Sequence, residues 1–539
     1  MAEFQNEFTY KRFLESGKEA EFDKKFEDAV EKVRREILGK KFPMYINGKE
    51  IFAQEELVEN SPIDGTLIGR FQKGTRQHVQ QAIATATAAF GSWSEKSYKE
   101  RVNLFRNAAE ILRKEKFVVA AILSIENGKS RYESIGEVDE AIDFMNYYAD
   151  EVERNKGYSR KTRLAASTAK VQAGFQGAPG NEEKIVIAAK PYGVFGILAP
   201  FNFPISISVG MSTGALITGN TVVFKPSSTD NMTMLTGLRI YEIFREAGMP
   251  DGVFNYITGP GSELGDELVA NSKVSGIAFT GSRAVGVGMV KKAAELGLQK
   301  VFVIEMGGKN PAIVAKDAEI DAAAEGIASA AYGFAGQKCS ACSRVYVHDS
   351  IKEEFVSKLI DKLRTFKIGD PLKKEVYIGP LISPKALERY KAAIEETKKS
   401  GKVLYGGNVV NTGLSGAYVE PAIVEVDHSN NLIHEELFVP ILAIDTFKKF
   451  DEALQKANDV EFGLTAGLYS KKNKEIKEFL SKIQAGVVYV NRRTSATTGA
   501  IVGAHTFVGW KGSGLTGKGT GSRFYLQQFL KEQSVAIVK

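Results

Sequence analysis

The stretch "GVFGILAP" at residues 193–200 opens a series of short apolar segments that decides the fold. Helix-period sequence separates it from four further segments: "TVVFKP" (221–226), "VFNYITG" (253–259), "SGIAFTG" (275–281) and "KVFVIEMGG" (300–308). Strands that alternate with helices predict a parallel sheet built from βαβ units, and therefore an α/β fold. A second βα series begins at Pro311, with "PAIVA", "RVYVH", "LTAGLYS" and "AGVVYVN" as its strands. The sequence thus predicts two α/β domains joined near Gly307 and Gly308.

Upstream of this series the pattern differs. Residues 1 to about 40 predict a charged amphipathic helix, and a helical block runs from about Val79 to Tyr148. The Asn-Gly pair in "YINGKEI" and the Asp-Gly pair in "SPIDGTLIGRF" predict hairpin turns. The segment at about 160–190 and the terminal "SVAIVK" suit neither a helix nor a core sheet. We expect both to be exposed strands that pair with another subunit.

Composition sets limits on function. A chain of 539 residues is too long for a single core, and 43% hydrophobic with 25% charged residues fits a soluble globular enzyme. The net charge of +6 arises from interleaved acids and bases without a basic-aromatic module, so we expect no nucleic-acid partner. No apolar run approaches the roughly 18 residues of a membrane span, which predicts a cytoplasmic protein without a membrane partner. Two cysteines exclude a secreted disulfide framework.

Glycine-rich turns follow two neighbouring strands. "TGPGSELG" (258–265) comes after "VFNYI", and "TGSRAVG" (280–286) comes after "SGIAF". In open parallel sheets such turns let the backbone approach nucleotide phosphates, although neither is a GxGxxG fingerprint and each alone could be simple turn chemistry. Lys225 ends the strand "TVVFK" where a ribose or phosphate would lie, and a surface lysine at a strand end is the alternative.

Both cysteines, Cys339 and Cys342, lie in "GQKCSACSR" (336–344). A redox CxxC pair belongs at the start of a helix, whereas this pair follows an Ala/Gly-rich helical run and leads directly into a strand. A zinc site needs further ligands, and the five histidines show no ligand spacing, so we predict no metal. The remaining interpretation is a thiolate nucleophile, which requires a base and an oxyanion pocket.

Two residues are candidates for those partners. Glu305 ends a strand just before Gly307 and Gly308, where its carboxylate could act as a general base. Asn202 in "APFNFP" follows the first strand of the sheet, and its amide could donate to an oxyanion. A surface acid at a turn and an ordinary Asn before a proline turn are the respective alternatives.

The ordered motifs "PFNFP", "KPSS", "EMGGK", "GQKCSACSR", "EELFVP" and "FVGWKGSG" resemble the aldehyde dehydrogenase superfamily over nearly the whole chain. The resemblance implies a Rossmann-like NAD(P)-binding domain, an α/β catalytic domain and a small β oligomerisation arm. These would be residues 1–160 with 187–307, residues 308–507, and residues 161–186 with 525–539, respectively. It also implies a homo-oligomer, a dimer or higher.

The resemblance also implies residue roles. Cys339 would add to the aldehyde, Asn202 and the N–H of Cys339 would hold the oxyanion, and Glu305 would activate the hydrolytic water. NAD or NADP would be the cofactor, with the riboses held by Lys225 and Glu436. The full set of cofactor residues would be Lys225, Ser228, Gly261, Gly265, Ser282 near the pyrophosphate, Glu436, and Phe438 beside the nicotinamide.

A narrower resemblance concerns the substrate. "GQKCSACSR", "EAIDFMNYYA" and "TTGAIVG" are similar to the 1-pyrroline-5-carboxylate (L-glutamate γ-semialdehyde) dehydrogenases of proline catabolism. That similarity implies that Ser340, Gly499 and Ala500 bind the substrate carboxylate. Aromatic walls and nearby polar groups would come from Phe203, Phe507, Lys338, Glu140 and Arg344, the last of which could equally be structural.

Some positions depart from the family pattern. Where relatives read "QPFGG", this chain has "HTFVGW", so His505 and Thr506 leave a different aldehyde as the alternative substrate. Ser228 stands where many NAD-restricted relatives carry a glutamate that repels a 2′-phosphate, so NAD and NADP could both be accepted. Two other classes of function remain: a non-catalytic protein on this scaffold, which would lose Cys339 or Glu305, and a thiol hydrolase, which would bind no nucleotide.

Overall fold

A computed structural model of the chain describes residue 7 and residues 10–164, 183–228, 230, 232–493 and 501–538. Its N-terminal sheet contains every strand predicted between residues 193 and 308. From edge to edge the strands are Val301–Met306, Val274–Gly281, Val194–Leu198, Thr221–Lys225, Phe254–Tyr256, Met44–Ile46 and Lys49–Ile51. All but the last two are parallel. The strand order reverses beside Val194–Leu198, and ligands bind at such a switch point in open α/β sheets.

Helices cover both the N-terminal region and the crossovers of this sheet. They are Tyr10–Glu15, Glu19–Glu36, Arg76–Glu95, Tyr98–Asn127, Arg131–Arg154, Ser206–Ile217, Met234–Glu246, Asp266–Ala270 and Arg283–Glu295. The predicted long helical block is divided, because Ser97 forms a capping box with Glu100 and Gly128 ends the next helix in a left-handed conformation (φ 77°). The predicted N-terminal helix is likewise interrupted, near Gly17 (φ 68°).

Both predicted hairpins form. Asn47 (φ 56°) and Gly48 (φ 71°) join Met44–Ile46 to Lys49–Ile51, as expected for an Asn-Gly turn. The second hairpin pairs Glu56–Asn60 with Leu67–Gln72 around Gly65, and Lys40–Lys41 adds to it as a parallel strand.

The C-terminal sheet holds the four strands predicted after Pro311. From edge to edge it comprises Lys402–Tyr405, Ala422–Glu425, Ile441–Phe447, Cys342–His348, Asn310–Val314, Thr465–Tyr469 and Val487–Val490. The first three of these strands were not predicted. The accompanying helices are Ile320–Tyr332, Lys352–Arg364, Pro384–Ser400, Asn431–His434, Phe450–Asn458 and Asn473–Lys482, and two short strand pairs are Lys367–Ile368 with Val376–Ile378 and Phe462–Gly463 with Trp510–Lys511.

The two large sheets follow each other directly. The N-terminal sheet ends at Met306 and the C-terminal sheet begins at Asn310, so Gly307, Gly308 and Lys309 connect them. Each sheet has its own apolar core. The predicted residue ranges of the domains stay a prediction.

A separate antiparallel sheet has Glu183–Pro191 at its centre, with Ser159–Leu164 and Leu530–Val538 on either side. The segments predicted to be exposed strands therefore pair within one chain here. Residues 165–182, which belong to the predicted oligomerisation segment 161–186, lie outside the described residues. Within the ranges described, no helix is long and apolar enough to span a bilayer.

Candidate active site

The cysteine loop connects helix Ile320–Tyr332 to strand Cys342–His348. Between them Phe334 (φ 50°) and Ala335 (φ 52°) adopt left-handed conformations, which non-glycine residues enter only when the surrounding structure imposes it. The side-chain oxygen of Gln337 accepts the N–H of Ile382 at 2.9 Å. The chain entering Cys339 is thus fixed by packing and hydrogen bonds.

Cys339 is held through its main chain. Asn310 donates from Nδ2 to the carbonyl oxygens of Cys339 (2.7 Å) and Ala341 (2.9 Å), while its Oδ1 accepts the N–H of Thr465 at 2.9 Å. A Cβ at Gly308 would lie 2.3 Å from the carbonyl oxygen of Cys339, so only glycine allows this approach. The sheet connection and the cysteine loop are therefore in direct contact.

The two thiols have different surroundings. Cys339 is partly exposed, whereas Cys342 is buried in the core of the C-terminal sheet, and both are free thiols. The Sγ of Cys342 donates to the carbonyl oxygen of Arg344 at 3.6 Å. These contacts favour a packing role for Cys342.

Two carboxyl groups lie near Cys339. Burial, followed by the charges of Glu436 and Glu305, raises the pKa of the Cys339 thiol to about 12. Glu305, on strand Val301–Met306, accepts the N–H of Gly509 at 3.0 Å, and burial raises its pKa to about 8. A carboxyl group with a pKa close to neutral pH can accept a proton when it is ionised and release it again afterwards, as a general base must.

Glu436 sits against the connection between the sheets. Its Oε1 accepts the N–H of Gly308 at 2.7 Å, and a Cβ at Gly307 would lie 2.5 Å from its Oε2. Burial raises the pKa of Glu436 to about 7. Phe438 follows with φ 58°, and its ring packs on Phe201 with a centroid distance of 5.8 Å. The structure thus brings the "EELFVP" motif to the same place as Cys339.

Asn202 and Phe203 follow strand Val194–Leu198 in a buried turn. The main-chain oxygen of Asn202 accepts the Nζ of Lys129 at 2.5 Å, and the same ammonium lies 3.9 Å from the ring centroid of Phe203. Lys129 also pairs with Glu137, and both side chains are completely buried. Sequence reasoning missed this pair, because a buried ion pair leaves no local signal in the sequence.

The residues predicted to surround the substrate with polar groups are largely buried. Lys338 is buried and forms an ion pair with Glu133 on helix Arg131–Arg154. Glu140 lies on the same helix, and burial raises its pKa to about 8. Ser340 is buried, and its carbonyl oxygen accepts the Thr465 hydroxyl at 3.4 Å.

Arg344 belongs to the framework of the C-terminal sheet. Its guanidinium, fully buried, donates to the carbonyl oxygens of Lys309 (2.7 Å), Lys456 (3.1 Å) and Ala457 (2.7 Å). These contacts favour the structural alternative for Arg344.

The substrate loop is described only in part. Gly499 and Ala500 lie outside the described residues. The next residues form a turn in which the N–H of His505 donates to the carbonyl oxygen of Ile501 at 2.8 Å, and Thr506 follows this turn. Phe507 then pairs with Thr520, and Gly509 reaches Glu305. His505 and Thr506 therefore lie close in sequence to residues that contact the base.

The predicted nucleotide residues other than Glu436 and Phe438 follow the carboxyl ends of strands in the N-terminal sheet. Lys225 donates from Nζ to the carbonyl oxygen of Pro226 at 2.8 Å, burial lowers its pKa to about 8, and the Ser228 hydroxyl donates to the same oxygen at 3.0 Å. Gly261 begins the turn Gly261–Gly265, and a Cβ there would meet no atom within 4 Å. Ser282 caps helix Arg283–Glu295.

Taken as a donor set, these groups fit a dinucleotide. A buried amine, hydroxyls and an open glycine turn at strand ends are what riboses and a pyrophosphate require. Among the described side chains, no group of three or more His, Cys, Asp or Glu could hold a metal ion.

Comparisons with known proteins agree with this architecture. The model of the "Aldehyde dehydrogenase family" matches residues 52–535. The chain is 36% identical over 520 residues to 1-pyrroline-5-carboxylate dehydrogenase 1 of Halalkalibacterium halodurans, covering 95% of this chain and 96% of the relative. It is 32% identical to a crystal structure of 1-pyrroline-5-carboxylate dehydrogenase from Thermus with bound NAD, with a TM-score of 0.89 over 100% of this chain and 99% of that one. It also aligns, with a TM-score of 0.89 and 32% identity, to proline utilization A from Bdellovibrio bacteriovorus, covering 99% of this chain and 53% of that one.

Proposed function

This chain belongs to the aldehyde dehydrogenase family, and we propose that it oxidises L-glutamate γ-semialdehyde, the open form of 1-pyrroline-5-carboxylate, to L-glutamate with NAD, as in proline catabolism. The main support for the proposal is that Cys339, Glu305 and Glu436 lie close together beside Gly307 and Gly308. The names of its relatives support the choice of substrate.

Catalysis begins with the transfer of a proton from Cys339. A thiol with a pKa near 12 is a poor nucleophile at neutral pH, and Glu305 is a neighbouring carboxylate that can accept its proton. The thiolate adds to the aldehyde carbon, and the resulting oxyanion is held by the Asn202 amide and the N–H of Cys339. One such donor typically contributes about 10²–10³ in rate.

NAD, when bound, supplies the hydride acceptor that turns the thiohemiacetal into a thioester. Lys225 and Glu436 would hold the riboses, Ser282 would lie near the pyrophosphate, and Phe438 would limit the nicotinamide position. Glu305 would first release the Cys339 proton to solvent, and its carboxylate would then take a proton from the water that attacks the thioester. The C–S bond breaks, which releases the carboxylate product and returns Cys339 as a thiolate.

The substrate carboxylate is proposed to bind Ser340, Gly499 and Ala500. Phe203 and Phe507 would enclose the aliphatic chain. Lys338 and Glu140 would complete the polar end, and the Lys338–Glu133 pair keeps that lysine oriented.

Ser228 supports acceptance of NADP as well as NAD. It is a buried neutral side chain beside Lys225, and it presents no negative charge to a 2′-phosphate. Gly261 leaves room for the pyrophosphate that NAD and NADP share, and Gly265 would lie in the same turn.

The sheet of Ser159–Leu164, Glu183–Pro191 and Leu530–Val538 is proposed as the arm of a homo-oligomer. A reducing cytoplasm suits the enzyme, because the nucleophile must remain a thiol. The second candidate function is oxidation of a different aldehyde, favoured by His505, which ends the turn from Ile501, and by Thr506 next to Phe507.

A substrate and cofactor panel read at the nicotinamide absorbance tests the proposal. We expect kcat/KM for glutamate γ-semialdehyde to exceed that for propanal or benzaldehyde by about tenfold or more, because the simple aldehydes leave the carboxylate donors unpaired. Cys342→Ala serves as the matched cysteine control. Preference for a simple aldehyde would favour the second candidate, and turnover without a nucleotide would contradict both.

A further inference from the structure

We propose that Lys129 is a positioning residue for the reaction, holding Asn202 and Phe203 in place from behind the active site. The inference rests on the proposed function, because it assigns Asn202 to the oxyanion. Lys129 is fully buried just after the left-handed Gly128, and its own N–H donates to Oδ1 of Asn127 at 3.0 Å. These contacts therefore restrict the position of the Lys129 ammonium.

Lys129 and Glu137 fix both ends of the Asn202 turn. Lys129 donates to the main-chain oxygen of Asn202 at 2.5 Å and to Oε2 of Glu137. The other carboxylate oxygen of Glu137 accepts the N–H groups of Ile205 (2.9 Å) and Ser206 (3.3 Å), where helix Ser206–Ile217 begins. Between strand Val194–Leu198 and that helix, the ion pair thus supplies polar contacts at the start and at the end of the turn.

The same ammonium connects the turn to the cysteine loop. It lies 3.9 Å from the ring centroid of Phe203 and 4.8 Å from that of Phe334, the strained residue upstream of Cys339. A lysine sandwiched by two rings attracts both faces electrostatically. Lys129 therefore sets the distance between the oxyanion donor and the segment that carries the nucleophile.

The chemistry of an oxyanion pocket makes that distance important. Donors stabilise the developing charge only when they are in place before it forms, and a misplacement of about 1 Å can cost about 10²-fold in rate. Methionine has nearly the length of lysine but no donor, so Lys129→Met would release the carbonyl of Asn202 while keeping most of the packing volume.

A double-mutant cycle tests the inference. Lys129→Met, Asn202→Ala and the double variant are assayed for kcat/KM with an aldehyde that the wild type oxidises. We expect Lys129→Met alone to lower kcat/KM by about 10–10²-fold, mainly through kcat, and to have less than about a twofold effect in the Asn202→Ala background. Equal losses in both backgrounds would show a merely structural role and overturn the inference.

Lys116→Met is the matched control. Lys116 is buried and, at 2.7 Å from Asp139, links helix Tyr98–Asn127 to helix Arg131–Arg154, the helix that also carries Glu137. It should lower the unfolding temperature without changing kcat/KM. Lys129→Arg keeps the cation and should recover part of the activity. An equal fall in kcat/KM for Lys116→Met would contradict the specific role of Lys129.

Two further outcomes are distinguishable. Should Lys129→Met fail to fold, the cycle is repeated with Lys129→Met/Glu137→Gln, which removes both buried charges and keeps an oxygen for the N–H of Ile205. Absence of aldehyde oxidation by the wild type would contradict the proposed function and the inference with it, whereas additive losses in an active enzyme contradict only the role of Lys129.

Discussion

Alkaline pH should accelerate hydrolysis of the thioester on Cys339. Burial raises the pKa of Glu305 to about 8, and only the ionised carboxylate can accept a proton from water. A group with that pKa is about one-tenth ionised at pH 7 and about nine-tenths ionised at pH 9, so the hydrolysis rate should rise about tenfold between these values. Mixing enzyme, NAD and substrate, followed by acid quench and quantification of the thioester, measures that rate directly.

Glu305→Gln is the control for this prediction, because it retains an oxygen for the N–H of Gly509 but cannot act as a base. Its hydrolysis rate should be low and nearly independent of pH. A wild-type hydrolysis rate that has already reached its maximum by about pH 6 would refute the assignment of Glu305 as the base. The same conclusion would follow from a Glu305→Gln variant with the pH profile of the wild type.

Three other predictions use single substitutions. Cys339→Ala should abolish aldehyde oxidation while Cys342→Ala keeps most of it, and equal losses would revive a paired-cysteine mechanism. Ser228→Glu should lower kcat/KM with NADP by about tenfold or more and with NAD far less, because the new charge repels the 2′-phosphate; equal losses would contradict this. Burial raises the pKa of Glu305 from 4.5 to about 8, so ionisation of this carboxyl group destabilises the folded protein as pH rises between these values. The unfolding temperature of Glu305→Gln, measured by calorimetry, should therefore increase relative to that of the wild type between pH 5 and pH 9. A difference in unfolding temperature between the variant and the wild type that stays the same from pH 5 to pH 9 would argue against the burial of Glu305.

Local patterns explain which parts of the fold were predictable. Short β-branched runs between helices identified the strands around Lys225 and Glu305, and the pair Asn47-Gly48 identified its hairpin, because each depends on neighbouring residues. Strand Lys402–Tyr405 and its neighbour Ala422–Glu425 were not predicted, since both are short. The first is placed by antiparallel pairing with the second at the sheet edge, and the second also pairs in parallel with Ile441–Phe447.

The site shows the same division. The position of Cys339 followed from the order of motifs, but its surroundings come from distant parts of the chain. The N–H of Gly509 donates to Glu305, 204 residues away in sequence, and Arg344 donates to carbonyl oxygens 112 and 113 residues away. Lys129 donates to the carbonyl oxygen of Asn202, 73 residues away. No local pattern records such contacts, so they emerge only from the packed structure.

Trapping the acyl-enzyme tests whether oxidation proceeds through a thioester on Cys339. Because Glu305→Gln also lacks the acceptor for the Cys339 proton, the variant is incubated with glutamate γ-semialdehyde and NAD at pH 9 until NADH formation stops. It is then quenched in acid, digested and examined by mass spectrometry. We expect one γ-glutamyl thioester per chain, located on Cys339, formed with one equivalent of NADH and absent when NAD is omitted. Acylation of Cys342, or NADH formation without any thioester on Cys339, would contradict it.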